Sequence, residues 1–585
     1  MLTVYEGDFL YRVQEQNLFL HTSLFFRECS VSSGGLLTWM GSFLTQFFYY
    51  PLLGTVILCL LWALLMFMLE KAFRISSRWR WMTLLPIACL LLTITDLGYW
   101  IYYLKRHGHI FDATLGIIIA VSLAWIYRLL PAKYCLRSAF TVVSTCVSYP
   151  LFGFYGLWAT AMMAVLAWRI DGHRWTDTLL SIATILLVPL AYYHWCFHQT
   201  NIVNIYWTAL PVFCHVGERF FAYNLPYIAL CAITAMMALS YWKERKSSPS
   251  IVKHKWLQPT ILGVAAACIV IFWYKDDNFH RELSMIRSIE EQDWEQVVRR
   301  SADMKQEPTR AICMMRNLAL QRMGQQGNKM YTYPNGAARP RAPFPVRLVD
   351  TVGRMLYLQY GVSNYCYRWC MEDGVEYGWT VEKLKLLAKC SLVDGEIAAA
   401  QKYLGLLNKC LFQRNWVKKY TEYARHPQLI AQDEELNAIR HLQRDDNFLT
   451  ADMRQMERFL LEHFTTADSN NPLLQEQILV AAMQTKNTQL IWQQLYKYTE
   501  IHRDEILPRH YQEAACLMSH LRHININGLP FDPLIVNDYN DFARIVGEGQ
   551  QQRRSADEMR QMVYQRFHTT YYYDFYFNSY NYIEQ

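Results

Sequence analysis

The stretch FFYYPLLGTVILCLLWALLMFML, Phe47 to Leu69, holds no charged side chain. A helix crossing the hydrocarbon of a bilayer takes about 20 mainly apolar residues. These residues therefore predict a transmembrane helix, and with it an all-α, polytopic membrane half. Outward from it, Trp81 to Leu104, Ile110 to Leu130, Leu179 to Trp195, Asn224 to Trp242 and Leu257 to Tyr274 read as further spans. Ser138 to Trp168 is also uncharged but too long for one crossing, and Pro150 and Gly153 interrupt it. It reads as two short helices meeting at a turn, which brings the expected bundle to about eight spans.

Positive charge in short loops is retained in the cytoplasm. Lys71, Arg74, Arg78 and Arg80 follow the first span, Lys133 and Arg137 the third, and Lys243, Arg245, Lys246, Lys253 and Lys255 precede the last. Two passes through Ser138 to Trp168 put these loops, with Arg169 and Arg174, on one side; a single pass breaks the pattern. Residues 1–46 and everything after Tyr274 then lie outside the cytoplasm, with Lys105-Arg106 the one dissenting loop. Ser30 to Gln46 is uncharged, with Trp39, Phe43 and Phe47 four apart, and predicts a helix lying in the interface before the first span. An external start points to a first helix lost upstream of Leu2.

The 585 residues exceed one domain, and a charged fraction of only 18% averages a very apolar half with an ordinary polar one. The division predicted is 1–46 as an external segment, 47–274 as the membrane domain and 275–585 as an extracytoplasmic helical domain. A net charge of +7 without a long basic block sets nucleic acid aside. Fifteen cysteines form no CxxC pair or zinc spacing. Cys366 and Cys370, four apart on an expected helix, read as structural, because a disulfide would distort the helix.

After Lys275 apolar residues recur at helical spacing. Leu384 to Ala388 run to Gly395, and Ala400, Leu404 and Leu407 follow. Small residues twelve apart around a turn glycine are what two close antiparallel helices require, and the spacing resembles the tetratricopeptide repeat. Asp293 to Pro308 looks like the second helix of such a repeat, and Asn317-Leu318-Ala319-Leu320 to Gly324 like the opening of the next. Gly324 to Pro345, rich in proline, predicts a loop. Tyr571 to Phe577, dense in aromatics, is expected to pack on the last helices or to sit at headgroup level.

Ionisable groups within spans are costly and mark function. Asp96, expected to lie deepest, and Asp112 sit toward the external side in this topology. Lys105, Arg106, His107 and His109 are near them in the chain, and Glu6, Asp8, His194, His198, Glu218 and Arg219 share that side. Such a set suits a divalent cation and a lipid phosphate, with a carboxylate left as general base. No phosphate-cradling loop, nucleophile elbow, zinc helix motif or dinucleotide fingerprint is present.

Glu6-Gly7-Asp8 resembles the acidic pair in the first external loop of the C-type, polyprenyl-phosphate-sugar-dependent glycosyltransferases. That resemblance implies a lipid-linked sugar donor, with Glu6 or Asp8 as base or metal ligand. Gly34-Gly35-Leu36 through Gln46 to Pro51, with Asn317 to Leu320, is similar to a multi-pass family of Bacteroidota-type bacteria, which implies an inner-membrane location and no established activity. Two functions follow as expectations: an envelope glycosyltransferase with Glu6, Asp8, Asp96 and Asp112 as catalytic candidates, or a non-catalytic helical-repeat scaffold that docks an envelope protein or peptide. A transporter ranks third, since no duplication of the spans is visible.

Overall fold

The computed structural model describes residues 2–104, 108–131, 134–171, 175–211, 223–241, 256–444, 455–503, 505–524, 526 and 531–578. It is all-α, with no β-strand among the described residues. The chain divides into two compact units. Unit 1 comprises Met1–Lys275 with Gly374–Glu382 and Gly405–Trp416; unit 2 comprises Asp276–Asp373, Lys383–Leu404 and Val417–Gln585.

Unit 1 contains α1 (Gly7–Glu15), α2 (Ser23–Cys29), α3 (Gly35–Thr45), α4 (Pro51–Phe73), α5 (Leu84–Thr95), α6 (His109–Leu129), α7 (Tyr134–Phe152), α8 (Phe154–Asp171), α9 (Trp175–Trp195), α10 (Leu225–Leu239) and α11 (Leu257–Phe272). Pro51 opens α4 at the position where its missing N–H costs nothing. Gly153, at φ +56°, turns the chain between α7 and α8. The centre of the unit is α6, against which α3, α4 and α8 pack. Close approach is secured by small residues: a Cβ on Gly116 would lie 2.3 Å from the Tyr155 ring, and one on Gly41 would lie 2.8 Å from the Gly108 carbonyl. Hydroxyls tie the helices laterally, Trp62 Nε1 donating to Thr114 Oγ1 (3.1 Å) and Trp158 Nε1 to Thr234 Oγ1 (3.2 Å).

The expectation of about eight spans is overturned. Among the described residues three helices, α4, α6 and α9, are long and apolar enough to cross a membrane, or four if α11 is counted together with the helix that follows it. The other apolar runs fold into shorter pieces. Trp81 to Leu104 becomes a 3-10 turn, the 12-residue α5 and a second 3-10 turn, because Asp96 ends the helix and Gly98, at φ +47°, redirects the chain. The helices α10 and α11 have 15 and 16 residues. In α7 the hydroxyls of Thr141, Ser144, Thr145 and Ser148 dilute the apolar surface, and they are buried in the bundle.

Unit 2 is built from α12 (Asp277–Glu290), α13 (Trp294–Ala302), α14 (Arg310–Arg322), α15 (Gln326–Lys329), α16 (Arg354–Gln359), α17 (Ser363–Tyr377), α18 (Val381–Val393), α19 (Ile397–Leu407), α20 (Arg414–Arg425), α21 (Glu434–Leu442), α22 (Met456–Thr465), α23 (Pro472–Gln484), α24 (Thr488–Ile501), α25 (Arg509–Arg522), α26 (Pro533–Gln551), α27 (Ala556–Phe567) and α28 (Tyr571–Phe577); the parts of α17, α18, α19 and α20 that fall within Gly374–Glu382 and Gly405–Trp416 belong to unit 1. Helices adjacent in sequence pack on each other through α12–α14 and α22–α28. One turn recurs between them. A left-handed residue, Gln292, Gly395, Lys486 or Arg553, ends a helix at φ +61°, +79°, +56° and +54°. The following N–H reaches six residues into the helix by count: Asp293 to Ser288 O (2.8 Å), Glu396 to Ser391 O (2.7 Å), Asn487 to Ala482 O (3.0 Å) and Arg554 to Gly549 O (3.0 Å). Asp293 and Asn487 then cap the next helix, accepting from Gln296 N and Leu490 N, so two residues both stop one helix and start another.

Asn317 to Leu320 lie inside α14, which stops before Gly324 at φ +64°. The aromatic end forms α28, whose Tyr571, Tyr572 and Tyr573 are buried in one core with Tyr331, Tyr511 and Phe542. Cys366 and Cys370 share α17 and are both buried, and no disulfide occurs among the described residues.

Candidate functional site

The acidic candidates of unit 1 gather at one end of its bundle. Glu6 precedes α1 and is 3% exposed; its Oε1 accepts from Trp273 Nε1 at 2.6 Å. The next residue, Tyr274, donates its N–H to Thr95 O at 2.9 Å and lays its ring where Gly98 leaves room. Asp96 follows directly. Tyr223 donates its hydroxyl to Thr93 O (2.9 Å) and lies within electrostatic reach of Asp96, as Tyr227 does of Asp112. Asp8 stands half-buried in the first turn of α1, and His109 and Asp112 in the first turn of α6, where an acidic group meets the positive end of the helix.

Burial differs among these candidates: Asp112, at 2% exposure, and Glu6 are buried, while Asp96 is half-buried at the end of α5. Asp112 Oδ1 occupies the space that a side chain at position 41 would need, only 1.8 Å from a Cβ built on Gly41. His194 and His198 are exposed near the C-terminal end of α9, and no described contact joins them to Glu6, Asp96 or Asp112. Lys105, Arg106, His107, Glu218 and Arg219 lie outside the described residues. The described residues place no three His, Cys, Asp or Glu side chains so as to share a metal ion.

Nearby in unit 1, Arg12 is 2% exposed and pairs with Glu382 at 2.8 Å while facing the Tyr102 ring. Gln16 donates to the other oxygen of Glu382 at 2.5 Å, and Asn17 Nδ2 to Ser42 O at 3.0 Å. Sequence pattern gave no sign of this network, because Glu382 lies 370 residues from Arg12.

Unit 2 holds two further polar centres that periodicity alone does not reveal. Glu435 of α21, 2% exposed, accepts from Lys389 Nζ at 2.6 and 2.8 Å, Gln359 Nε2 at 2.7 Å, Gln292 Nε2 at 3.1 Å and the Tyr420 hydroxyl at 3.2 Å. Burial alone would raise its carboxyl; the Lys389 ammonium and the bonds from Lys389 and Gln359 bring it below the usual range instead. Arg322, donating to Gln359 O at 2.7 Å, is lowered to about 10 by burial. The second centre is fully buried His510. Its Nε2 accepts the Tyr331 N–H (3.3 Å), so the proton sits on Nδ1, which donates to Glu513 (2.8 Å). Glu513 also accepts from Arg509 Nε and Tyr571 N, both at 2.8 Å. A cleft of about 470 Å³ opens beside it, lined in part by Arg509, Gln512, Glu513, Asp532 and Tyr572.

Both units thus bury charged side chains in networks that join helices, the Arg12–Glu382 pair in unit 1 and the Lys389–Glu435 and His510–Glu513 clusters in unit 2. No curated protein and no solved structure matches the chain. A family model does match, across residues 2–578, and the chain belongs to that family, a family of unknown function (DUF6057).

Proposed function

We propose that the chain is a non-catalytic, membrane-anchored scaffold of the bacterial inner membrane. Unit 1 is its anchor in lipid. Unit 2 is an extracytoplasmic helical-repeat surface for an envelope protein or peptide. Stacked helix pairs joined by short turns suit such a role, since each pair adds surface without a new core. The observation that carries the reading is the use made of the acidic candidates: Glu6 is bonded to Trp273 and Asp112 is packed against Gly41, both at 3% exposure or less. Carboxylates held this way fix helices, whereas a general base needs a path to its substrate. The outward faces of α4 and α9 support the anchor: Leu52, Leu60, Leu179 and Leu187 are each more than 60% exposed, an apolar surface that water penalises.

A second reading, a C-type-fold transferase using a lipid-linked sugar, is favoured by the convergence of Glu6, Asp96, His109 and Asp112 at one end of the bundle. Asp8→Asn and Asp96→Asn separate the two. The scaffold requires cell-surface glycans to be unchanged in both variants at wild-type protein levels. Loss of a glycan in either variant, with the protein still folded and inserted, would sink the scaffold and establish the transferase.

A further inference from the structure

The stripe Leu60, Leu64, Phe67, Lys71 and Arg74 runs along one side of α4 at intervals of three and four residues, and all five side chains are exposed. Its apolar part ends where its cations begin. The Lys71 ammonium lies 5.6 Å over the Phe67 ring, and the Arg74 guanidinium 6.0 Å over that of Tyr241. Arg128, at the end of α6, donates Nη1 to Lys71 O at 2.8 Å and is brought within electrostatic reach of Arg74. The neighbouring carboxylate, Glu70, is engaged by Arg80 at 2.9 Å. Two guanidinium groups and an ammonium therefore share one corner of unit 1. Trp79 and Trp81 stack at 5.8 Å in the next turn, rings of the kind that settle at headgroup depth.

Arg74 closes α4 at φ +48°, with Ile75 N–H bonded back to Glu70 O at 3.1 Å. Glycine is the ordinary residue at such a position, and any side chain there is strained by roughly 1 kcal/mol. Two arginines and a lysine brought together where an apolar stripe ends point to an anion between them.

We propose that Lys71, Arg74 and Arg128 bind the phosphate of an anionic phospholipid at the lipid-facing edge of α4. The site rests on the reading of unit 1 as lipid-embedded. The bland alternative is that each cation simply extends from a helix end into water, in which case headgroup charge is immaterial.

The variant Arg74→Gly tests the difference, because it removes the cation while relieving the strain. The full chain in neutral-detergent micelles is titrated with phosphatidylglycerol, phosphatidylethanolamine or inorganic phosphate, and bound lipid and thermal melting are read by native mass spectrometry and scanning fluorimetry. Arg74→Gly is expected to melt higher than wild type without lipid yet to bind phosphatidylglycerol about tenfold more weakly, the loss of one charge-assisted bond. Arg128→Gln is expected to weaken the same lipid without the gain in melting. Retention of wild-type phosphatidylglycerol binding by both variants, equal binding of phosphatidylethanolamine, or full competition by millimolar inorganic phosphate would each overturn the lipid site. Monodispersity of the chain without detergent would instead overturn the membrane reading itself.

Discussion

Glu435 is buried among donors from four other segments, while Glu434 beside it is exposed. Replacing Glu435 by Gln leaves the Lys389 ammonium, 2.6 Å away, without its counter-charge. Unit 2 is expected to lose about 3–5 kcal/mol, measured by denaturant unfolding of the full chain with a unit 2 reporter. The pH dependence follows from the direction of the shift. Since the folded carboxyl titrates below its unfolded value near about 4.3, its contribution is complete above that pH and is lost as pH falls through the folded value. Glu435→Gln should therefore flatten the acid limb of the stability curve as well as lower it. Nothing in the spacing distinguishes Glu435 from Glu434 beside it in sequence. Nor does the apolar run around Asp96 show that this residue ends its own helix and is half-buried, while Asp112, nearer a loop in sequence, is enclosed by the protein.

At the scale of elements, the α18–α19 hairpin is readable in sequence, whereas the lengths of the apolar helices of unit 1 are not. Gly395 announces its turn because only glycine takes φ +79° without strain. Gln292, Lys486 and Arg553 make the same turn silently. Arg553 is exposed, so Arg553→Gly is expected to stabilise the α26–α27 turn by about 0.5–1 kcal/mol. Gly395→Ala, where the added methyl meets open space but not the right backbone, should cost about 1 kcal/mol. Equal melting temperatures for the two variants and wild type would contradict the shared turn. Apolar runs, by contrast, report composition without length. Counting Trp81 to Leu104 as one helix overlooked Gly98, and counting α10 and α11 as full spans overlooked how soon each stops.

For the molecule as a whole, burial sorts the three candidate spans by role. The apolar window of α6 is 72% buried within the protein, against 28% for α4 and 22% for α9. A lipid-embedded unit 1 then has one internal helix and two that meet acyl chains, so the native chain should remain with membranes through an alkaline carbonate wash and need detergent to stay monodisperse; release by the wash would contradict it. Unit 1 also lacks continuity in sequence. The Arg12 guanidinium finds Glu382, Asn17 O receives the Val381 N–H at 3.1 Å, Gln46 Oε1 the Leu411 N–H at 2.9 Å, and Phe412 stacks on Tyr49 at 5.6 Å. A ribosome that has released Lys275 has therefore not yet supplied these partners. The earliest-made helices must wait, incompletely furnished, until Phe412 has emerged, and maturation of unit 1 is tied by the order of synthesis to that of the segments encoded after it.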